Sequence, residues 1–311
     1  MSEDSNNNLQ QPQGENGQKK GRSNLAQRCL TAIFIAVLYV GPILLRAFVH
    51  ELFFDALVLA LTLCASYEFS KAISVKFEKP AEIFVYVNVV LGYVLYKVTG
   101  IVTKNYVLAP YFVALLISFV ACLTVAMFTK KYSVESAVTT LFAMIYPGLI
   151  MACMMHLNYL PGVAMTAILL AFIISTLTDT MAYFVGCSVK GPKLCPTISP
   201  KKTISGAIGG LLGGIGGGII VYFLAQSNVL GTAPVAIGYV ANLMHFIVLG
   251  LGGALFCQLG DLLSSYVKSA VGIKDYGKIL KGHGGFMDRV DGLIVTSMFI
   301  CIYLMILGIA L

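Results

Sequence analysis

The feature that most constrains this chain is a series of nine apolar stretches separated by short polar segments. They lie near residues 29–49, 52–70, 82–100, 106–128, 137–156, 163–186, 206–225, 236–259 and 292–311. About 20 apolar residues in a helix cross a hydrocarbon core about 30 Å thick. A membrane barrel would instead need short alternating segments, which this sequence lacks. The sequence therefore predicts an all-α, polytopic integral membrane protein with about nine transmembrane helices.

The basic residues predict the orientation of these helices. Of the 21 Lys and Arg residues, 18 fall in the N-terminal segment and in alternate loops, while Arg46, Lys97 and Lys104 fall in the remaining loops. Loops rich in Lys and Arg stay on the cytoplasmic side of a membrane, so we expect a cytoplasmic N-terminus. Because the net charge of +7 is divided among these loops and forms no basic domain, it does not indicate a nucleic-acid partner.

The composition changes along the chain and suggests three regions. Residues 1–28 are rich in Asn, Gln, Ser and Gly and predict a disordered cytoplasmic tail. The basic residues before the first apolar run are also typical of a signal peptide, but the run continues for a full span, so we expect an uncleaved helix. Residues 29–160 predict N-terminal transmembrane helices. Residues 161–311 predict a C-terminal transmembrane region whose charged cytoplasmic loops, 187–205 and 260–291, carry the function.

Glycines and cysteines are interpreted as packing residues. The segment GAIGGLLGGIGGG, residues 206–218, places glycines four residues apart in two rows, which lets helix backbones approach closely in lipid. A phosphate-binding glycine loop is the alternative, but no predicted strand precedes the segment. The eight cysteines are scattered without a CxxC pair. Cys187 and Cys195 share a loop, but without histidine partners they indicate neither zinc nor a disulfide framework.

One carboxylate falls inside a predicted span. Asp179 shares a helical face with Tyr183 and Gly186, at positions i, i+4 and i+7. A charged group in the middle of a span costs about 2.5–3.5 kcal/mol, so such a residue indicates a functional site. The alternative is an aspartate at a helix end that reaches interfacial water.

Three further aspartates lie near the C-terminal polar loop. Asp261, Ser265 and Lys268 follow one another at i, i+4 and i+7, and Asp288 and Asp291 share a face if a helix begins there. Three carboxylates around one point at the cytoplasmic face are ligands that suit Mg²⁺. The sequence therefore predicts a metal site here.

Cations accompany these carboxylates. Those of the last loop are Lys274, Lys278, Lys281 and Arg289. The earlier loop, residues 191–210, adds Lys201, Lys202 and Thr203 ahead of the glycine-rich helix, whose N-terminus attracts anions. Carboxylates for a metal and cations for phosphate suit nucleotide chemistry. A basic loop that only sets topology is the alternative, and it explains the lysines but not the aspartates.

Several motifs together resemble one known family. They are SYVK (265–268), KD (274–275), HGGFMDRVD (283–291), DTMAYFVG (179–186), SPKKT (199–203) and GDL (260–262). In this combination they resemble the signature of the phosphatidate cytidylyltransferases (CDP-diacylglycerol synthases), most closely over residues 175–295. The chain departs from that signature at Ser205, Ser264, Ser269 and Lys281, which bears on its contacts to nucleotide or phosphate.

The resemblance implies transfer of CMP from CTP to phosphatidic acid, giving CDP-diacylglycerol and pyrophosphate for phospholipid biosynthesis. It implies Mg²⁺, with or without a monovalent cation such as K⁺, and an active site at the cytoplasmic face of a bacterial plasma membrane. The implied metal ligands are Asp261, Asp288 and Asp291. The implied catalytic residues are Lys268, Lys274, Asp275, His283 and Arg289. The implied substrate-binding residues are Asp179, Tyr183, Ser199, Lys201, Lys202, Thr203 and Ser265.

Other functions remain open at this point. A related CTP-dependent enzyme acting on an ether lipid or a polyprenol would share the signature, and the four departures also allow a catalytically weakened member. An ion-coupled transporter would use aspartates within the membrane, but we find no repeated halves, and the charges cluster at one face. The glycine-rich faces permit a homodimer without requiring one.

Overall fold

The computed structural model describes residues 37–236, 238–277 and 284–308. The helices are α1 (Val37–Phe48), α2 (Leu52–Ile73), α3 (Glu82–Thr103), α4 (Ala109–Thr129), α5 (Val134–Ala143), α6 (Ile150–Leu157), α7 (Ala164–Val189), α8 (Ile204–Gln226), α9 (Tyr239–Val271) and α10 (Met287–Ile306). A π-helical turn, Met144–Leu149, joins α5 to α6, and a 3₁₀ turn, Val229–Gly231, lies between α8 and α9.

The predicted class, an all-α polytopic membrane protein, is confirmed. Within the described residues, eight helical segments are long and apolar enough to cross a membrane, with Val134–Leu157 counted as one, and α1 is shorter. The count of nine spans and the cytoplasmic N-terminus stay predictions. The predicted tail, residues 1–28, lies outside the described residues.

Two boundaries differ from the prediction. Helix α9 continues to Val271, so the predicted loop 260–291 starts too early, because hydropathy falls well before the helix ends. The helix stops at Gly272, whose φ of 78° is left-handed and whose N–H bonds to the carbonyl groups of Lys268 and Ser269. The loop 187–205 contains a short antiparallel hairpin, β1 (Lys193–Cys195) and β2 (Ser199–Thr203), which we did not predict.

The glycine rows of α8 pack it between α7 and α9, as the spacing predicts. A Cβ atom added to Gly213 would lie 2.6 Å from the carbonyl oxygen of Leu177 on α7. On the other row, a Cβ atom added to Gly218 would lie 2.3 Å from the carbonyl oxygen of Phe246 on α9. Any side chain at these positions would push the helices apart, so the glycines set the spacing of α7, α8 and α9. Of the predicted site residues, α7 carries Asp179 and Tyr183, and α9 carries Asp261, Ser265 and Lys268.

Polar contacts separate into two groups at opposite ends of α2. After its C-terminal end, Lys76 donates to the carbonyl oxygen of Ala270, 2.8 Å away. At its N-terminal end, Lys97 pairs with the buried Asp55 at 3.4 Å and stacks over Tyr159. Residues predicted on the same side of the membrane therefore do lie together. We call the end with Lys76 and Ala270 the inner end.

Candidate active site

A cavity of about 410 Å³ opens among α7, the hairpin, α8 and α9. Its lining includes six residues that the sequence predicts for the site: Asp179, Tyr183, Lys201, Lys202, Thr203 and Asp261. The other lining residues are Ala182, Gly186, Cys187, Leu194, Gly206, Ala207 and Gln258. The structure therefore brings into one pocket residues that lie as much as 82 positions apart (179 to 261) in the sequence.

Close backbone packing under the hairpin positions this pocket. A Cβ atom on Gly206 would lie 2.8 Å from the carbonyl oxygen of Ala182, so only glycine lets α8 begin directly against α7. Thr203 caps α8, because its hydroxyl oxygen accepts a 3.1 Å hydrogen bond from the backbone N–H of Gly206. The cap fixes the end of β2 and thereby holds the preceding Lys202 over the cavity.

The aspartates of the cavity lie within reach of cations. The Nζ atom of Lys202 is 3.2 Å from Oδ2 of Asp261, and both side chains remain about a quarter exposed. Asp261 lies near enough to both Asp179 and Asp291 for their charges to interact. Lys202 and Arg289 offset the charge of Asp179. Asp261 thus lies within electrostatic range of two further carboxyl groups, and Asp179 lies within range of two cations.

Helices α9 and α10 meet at two glycines beside these carboxylates. A Cβ atom on Gly260 would lie 2.5 Å from the backbone oxygen of Asp291. A Cβ atom on Gly292 would lie 2.9 Å from Oδ1 of Asp261. The glycine next to each aspartate therefore lets the two helices bring their carboxylates together.

The donor chemistry of this cluster fits a hard divalent cation. Carboxylate oxygens from α7, α9 and α10 are the ligands that Mg²⁺ prefers. In the side-chain positions seen here, no three His, Cys, Asp or Glu residues among the described ones come close enough to hold a metal. The metal site at Asp261, Asp288 and Asp291 accordingly stays a prediction.

Asp288 makes a second cluster, at the start of α10. Its Oδ1 accepts from Lys268 at 2.7 Å, and its Oδ2 accepts from the backbone N–H groups of Tyr276 and Gly285 at 2.9 and 3.0 Å. Burial raises the pKa of Tyr276, whose hydroxyl donates to the carbonyl oxygen of Ser264. Both oxygens of Asp288 are thus engaged in closing the loop between α9 and α10.

The remaining predicted residues occupy varied positions. Lys274 and Asp275 are exposed on the loop after α9, and Arg289 is exposed on the first turn of α10. Ser199 begins β2, and Ser265 is half-buried on α9. Lys278, Lys281 and His283 lie outside the described residues.

Three of the four departures from the signature can be located. The hydroxyl of Ser205 donates to the carbonyl oxygen of Lys190. Ser264 is fully buried, and Ser269 is exposed on α9. The fourth, Lys281, falls in the part of the loop that the structure leaves undescribed.

Sequence reasoning missed two polar residues. Gln258 lies three positions before Asp261, lines the cavity and donates from Nε2 to the carbonyl oxygen of Ala207 at 3.1 Å. Glu68 is only 1% exposed and lies within the predicted span 52–70. Like Asp179, Glu68 is a carboxylate inside an apolar span, a position that by itself indicates a functional residue.

The chain is similar to several known proteins. A family model described as the cytidylyltransferase family matches residues 26–307. The phosphatidate cytidylyltransferase of Rickettsia conorii is 35% identical over 133 residues, covering 43% of this chain and 55% of that protein. The protein of the same name from Brucella abortus is 37% identical over 138 residues, covering 44% and 46%. That of Staphylococcus haemolyticus is 37% identical over 124 residues, covering 40% and 43%. The matched part spans about half the length of these curated relatives.

Proposed function

Because this chain belongs to the cytidylyltransferase family, we propose that it transfers CMP from CTP to phosphatidic acid. The products of this reaction are CDP-diacylglycerol and pyrophosphate. The chain itself is a multi-pass membrane protein. The observation that carries the proposal is the cavity among α7, the hairpin, α8 and α9, which is lined by Asp179, Lys202 and Asp261. Such a site can receive a water-soluble nucleotide from one side and a lipid headgroup from the bilayer.

The reaction needs groups that bind phosphates and orient them. A phosphate oxygen of phosphatidic acid attacks the α-phosphorus of CTP, the new P–O bond forms, and the bond to the leaving pyrophosphate breaks. Lys202 and Arg289 carry positive charge beside the cavity carboxylates and would balance charge on the phosphates. Catalysis of this kind depends mainly on positioning and electrostatic stabilisation.

Mg²⁺ is part of the proposal. Asp261 and Asp291 would hold it, together with Asp288 as predicted from the sequence, and when bound it would neutralise charge on the reacting phosphates. Asp179 lies near Asp261 and would add to the negative field that attracts the cation. The proposal also includes a monovalent cation, such as K⁺, near the Mg²⁺.

The proposed location is the cytoplasmic face of a bacterial plasma membrane. Lys76, Lys202 and Lys268 lie in the polar segments that the charge distribution assigns to the cytoplasm. A site at this face would receive a nucleotide directly from the cytoplasm. We also include a homodimer in the proposal, on the ground of the glycine-rich helix faces alone.

The deciding experiment measures the product directly. The purified protein in detergent is incubated with phosphatidic acid, α-labelled CTP and Mg²⁺, and labelled CDP-lipid is separated by chromatography. Parallel reactions contain an ether-lipid phosphate or a polyprenyl phosphate in place of phosphatidic acid. If a related active enzyme forms product in the same detergent and this protein forms none from any acceptor, the proposal fails. Product only from another acceptor would correct the lipid.

A further inference from the structure

A buried carboxylate from the N-terminal half of the chain reaches the start of α10. Glu68 lies on α2, and its Oε2 accepts a 2.8 Å hydrogen bond from the backbone N–H of Met287. The backbone N–H of Phe286 interacts with the same side chain. Because the first N–H groups of a helix lack intrahelical acceptors, the carboxylate satisfies donors that would otherwise be unpaired. Glu68 thus holds the helix turn that carries Asp288.

The loop before α10 fits closely around this carboxylate. A Cβ atom on Gly277 would lie 2.1 Å from Oε1 of Glu68, and one on Gly285 would lie 2.4 Å from Oε2. These two glycines stand on either side of residues 278–283. Because these glycines lack side chains, the loop backbone packs against both carboxylate oxygens. Glu68 therefore contacts the loop on both sides of residues 278–283.

Aromatic packing extends the same contact. Phe69, the next residue on α2, packs against Tyr276 of the loop at 5.9 Å between ring centroids. It also packs against Tyr146 of the π-helical turn at 5.1 Å. Tyr276 in turn donates its backbone N–H to Asp288. The N-terminal helices therefore form the support on which the loop and the first turn of α10 rest.

The cost of this arrangement points to function. Glu68 is buried, and among the described residues its Oε1 has no hydrogen-bond partner. A buried polar atom without a partner lowers stability, and a carboxylate within an apolar span adds a further cost. Packing alone does not explain a carboxylate at this position. Its hydrogen bond to the first turn of α10 does explain it.

We propose that Glu68 is a positioning residue of the candidate active site. By holding the backbone at Met287, it keeps Asp288 and Asp291 in place relative to Asp261 on α9. It touches neither substrate nor reacting atoms in this role. The inference rests on the proposed function for its effect on catalysis, but its effect on the backbone can be measured without any reaction.

Three variants separate the hydrogen bond from other roles of Glu68. Glu68→Gln keeps a carbonyl oxygen at the same reach, whereas Glu68→Asp keeps the charge but is one methylene too short to reach Met287. The matched control is Ser66→Ala, which alters another buried polar residue of α2 whose hydroxyl has no hydrogen-bond partner in the described structure.

Two readouts are needed. Hydrogen–deuterium exchange of the peptide that contains Met287 should rise in Glu68→Asp and stay near wild type in Glu68→Gln and Ser66→Ala. In the CDP-lipid assay, Glu68→Asp should lower kcat about 100-fold, the usual effect of displacing catalytic groups by about 1 Å. It should also require more Mg²⁺ for half-maximal rate. Glu68→Gln should retain kcat within about tenfold, on the same reasoning.

Several results would overturn the inference. One is unchanged hydrogen–deuterium exchange in a folded Glu68→Asp variant. Another is an active Glu68→Asp together with an inactive Glu68→Gln, because the charge of Glu68 and not its hydrogen bond would then matter. If Glu68→Asp does not fold, Glu68→Met takes its place, because it fills the same space without an acceptor for Met287. Raised exchange in Glu68→Met beside wild-type exchange in Glu68→Gln supports the inference, and equal exchange in the two contradicts it. Failure of the wild-type protein to form CDP-lipid would reject the proposed function, while the exchange result would still test the positioning.

Discussion

Replacing Asp261 by Asn should abolish most activity while leaving the fold nearly as stable as before. Asp261 pairs with Lys202 at 3.2 Å, but the two side chains are 23% and 29% exposed, and partly solvated ion pairs contribute roughly 0–1 kcal/mol to stability. The change also relieves repulsion with Asp179 and Asp291. These effects oppose each other, so we expect a change in the free energy of unfolding of about 1 kcal/mol or less.

The expected loss of activity is larger. Removing one preorganised electrostatic group from an active site lowers kcat by about 10²–10³-fold, equivalent to about 2.7–4 kcal/mol of transition-state stabilisation. If Asp261 also binds Mg²⁺, the variant should need a higher Mg²⁺ concentration for half-maximal rate. The rate effect thus exceeds the stability effect severalfold, and the two can be separated in one preparation.

The assay combines initial rates of CDP-lipid formation, over a range of CTP and Mg²⁺, with thermal unfolding in the same detergent. Glu82→Gln is the matched control, because it neutralises a carboxylate in the surface pair with Lys79, at 3.3 Å, away from the cavity. It should leave both readouts unchanged. A rate for Asp261→Asn within about threefold of wild type would refute the role we give to its charge, since a group of this kind should contribute far more. A rate that falls only as much as the folded fraction would refute it too.

Three further predictions concern other parts of the molecule. Lys268→Met removes the charged partner of Asp288, 2.7 Å away, and should lower kcat about 100-fold by releasing the start of α10. Activity and thermal unfolding are measured on the same preparation, and a wild-type kcat would contradict this prediction. Gly218→Ala places a Cβ atom 2.3 Å from a backbone oxygen of α9 and should lower the free energy of unfolding by about 1–3 kcal/mol. Gly216→Ala, which meets nothing within 4 Å, is its control in thermal unfolding, and equal melting of the two argues against the packing. Lys97→Met leaves the buried carboxylate of Asp55 without its cation and should lower the free energy of unfolding by about 3 kcal/mol. The KM for CTP should not change, because this pair lies at the opposite end of the helices; a changed KM would show coupling between the ends.

Much of the candidate site could be predicted because its residues stand in short local patterns. Asp179 and Tyr183 occupy one face of α7, and both line the cavity. Lys202 and Thr203 precede the glycine-rich helix, as the sequence shows, and Thr203 is its N-cap. Patterns of this kind are visible in a sequence because helical spacing fixes which neighbours share a face.

Other features depend on contacts between distant segments. Asp288 was predicted only as a metal ligand, but its contacts to Lys268, Tyr276 and Gly285 require the loop to fold back on α9. The end of α9 was missed because its last turns are polar, and hydropathy indicates where a helix leaves an apolar environment, not where its backbone hydrogen bonds stop.

The sequence by itself determined the class of the protein and indicated most of the residues that we propose for its chemistry. The length of the apolar runs permits little besides membrane helices, because backbone groups in lipid must pair internally. Only the tertiary structure decided how these helices meet. The contact of Glu68 with Met287, 219 positions apart, and the pairing of Lys202 with Asp261 depend on helix packing across the whole chain. Local spacing carries no information about such contacts, since they follow from which helix faces fit together after the chain has folded.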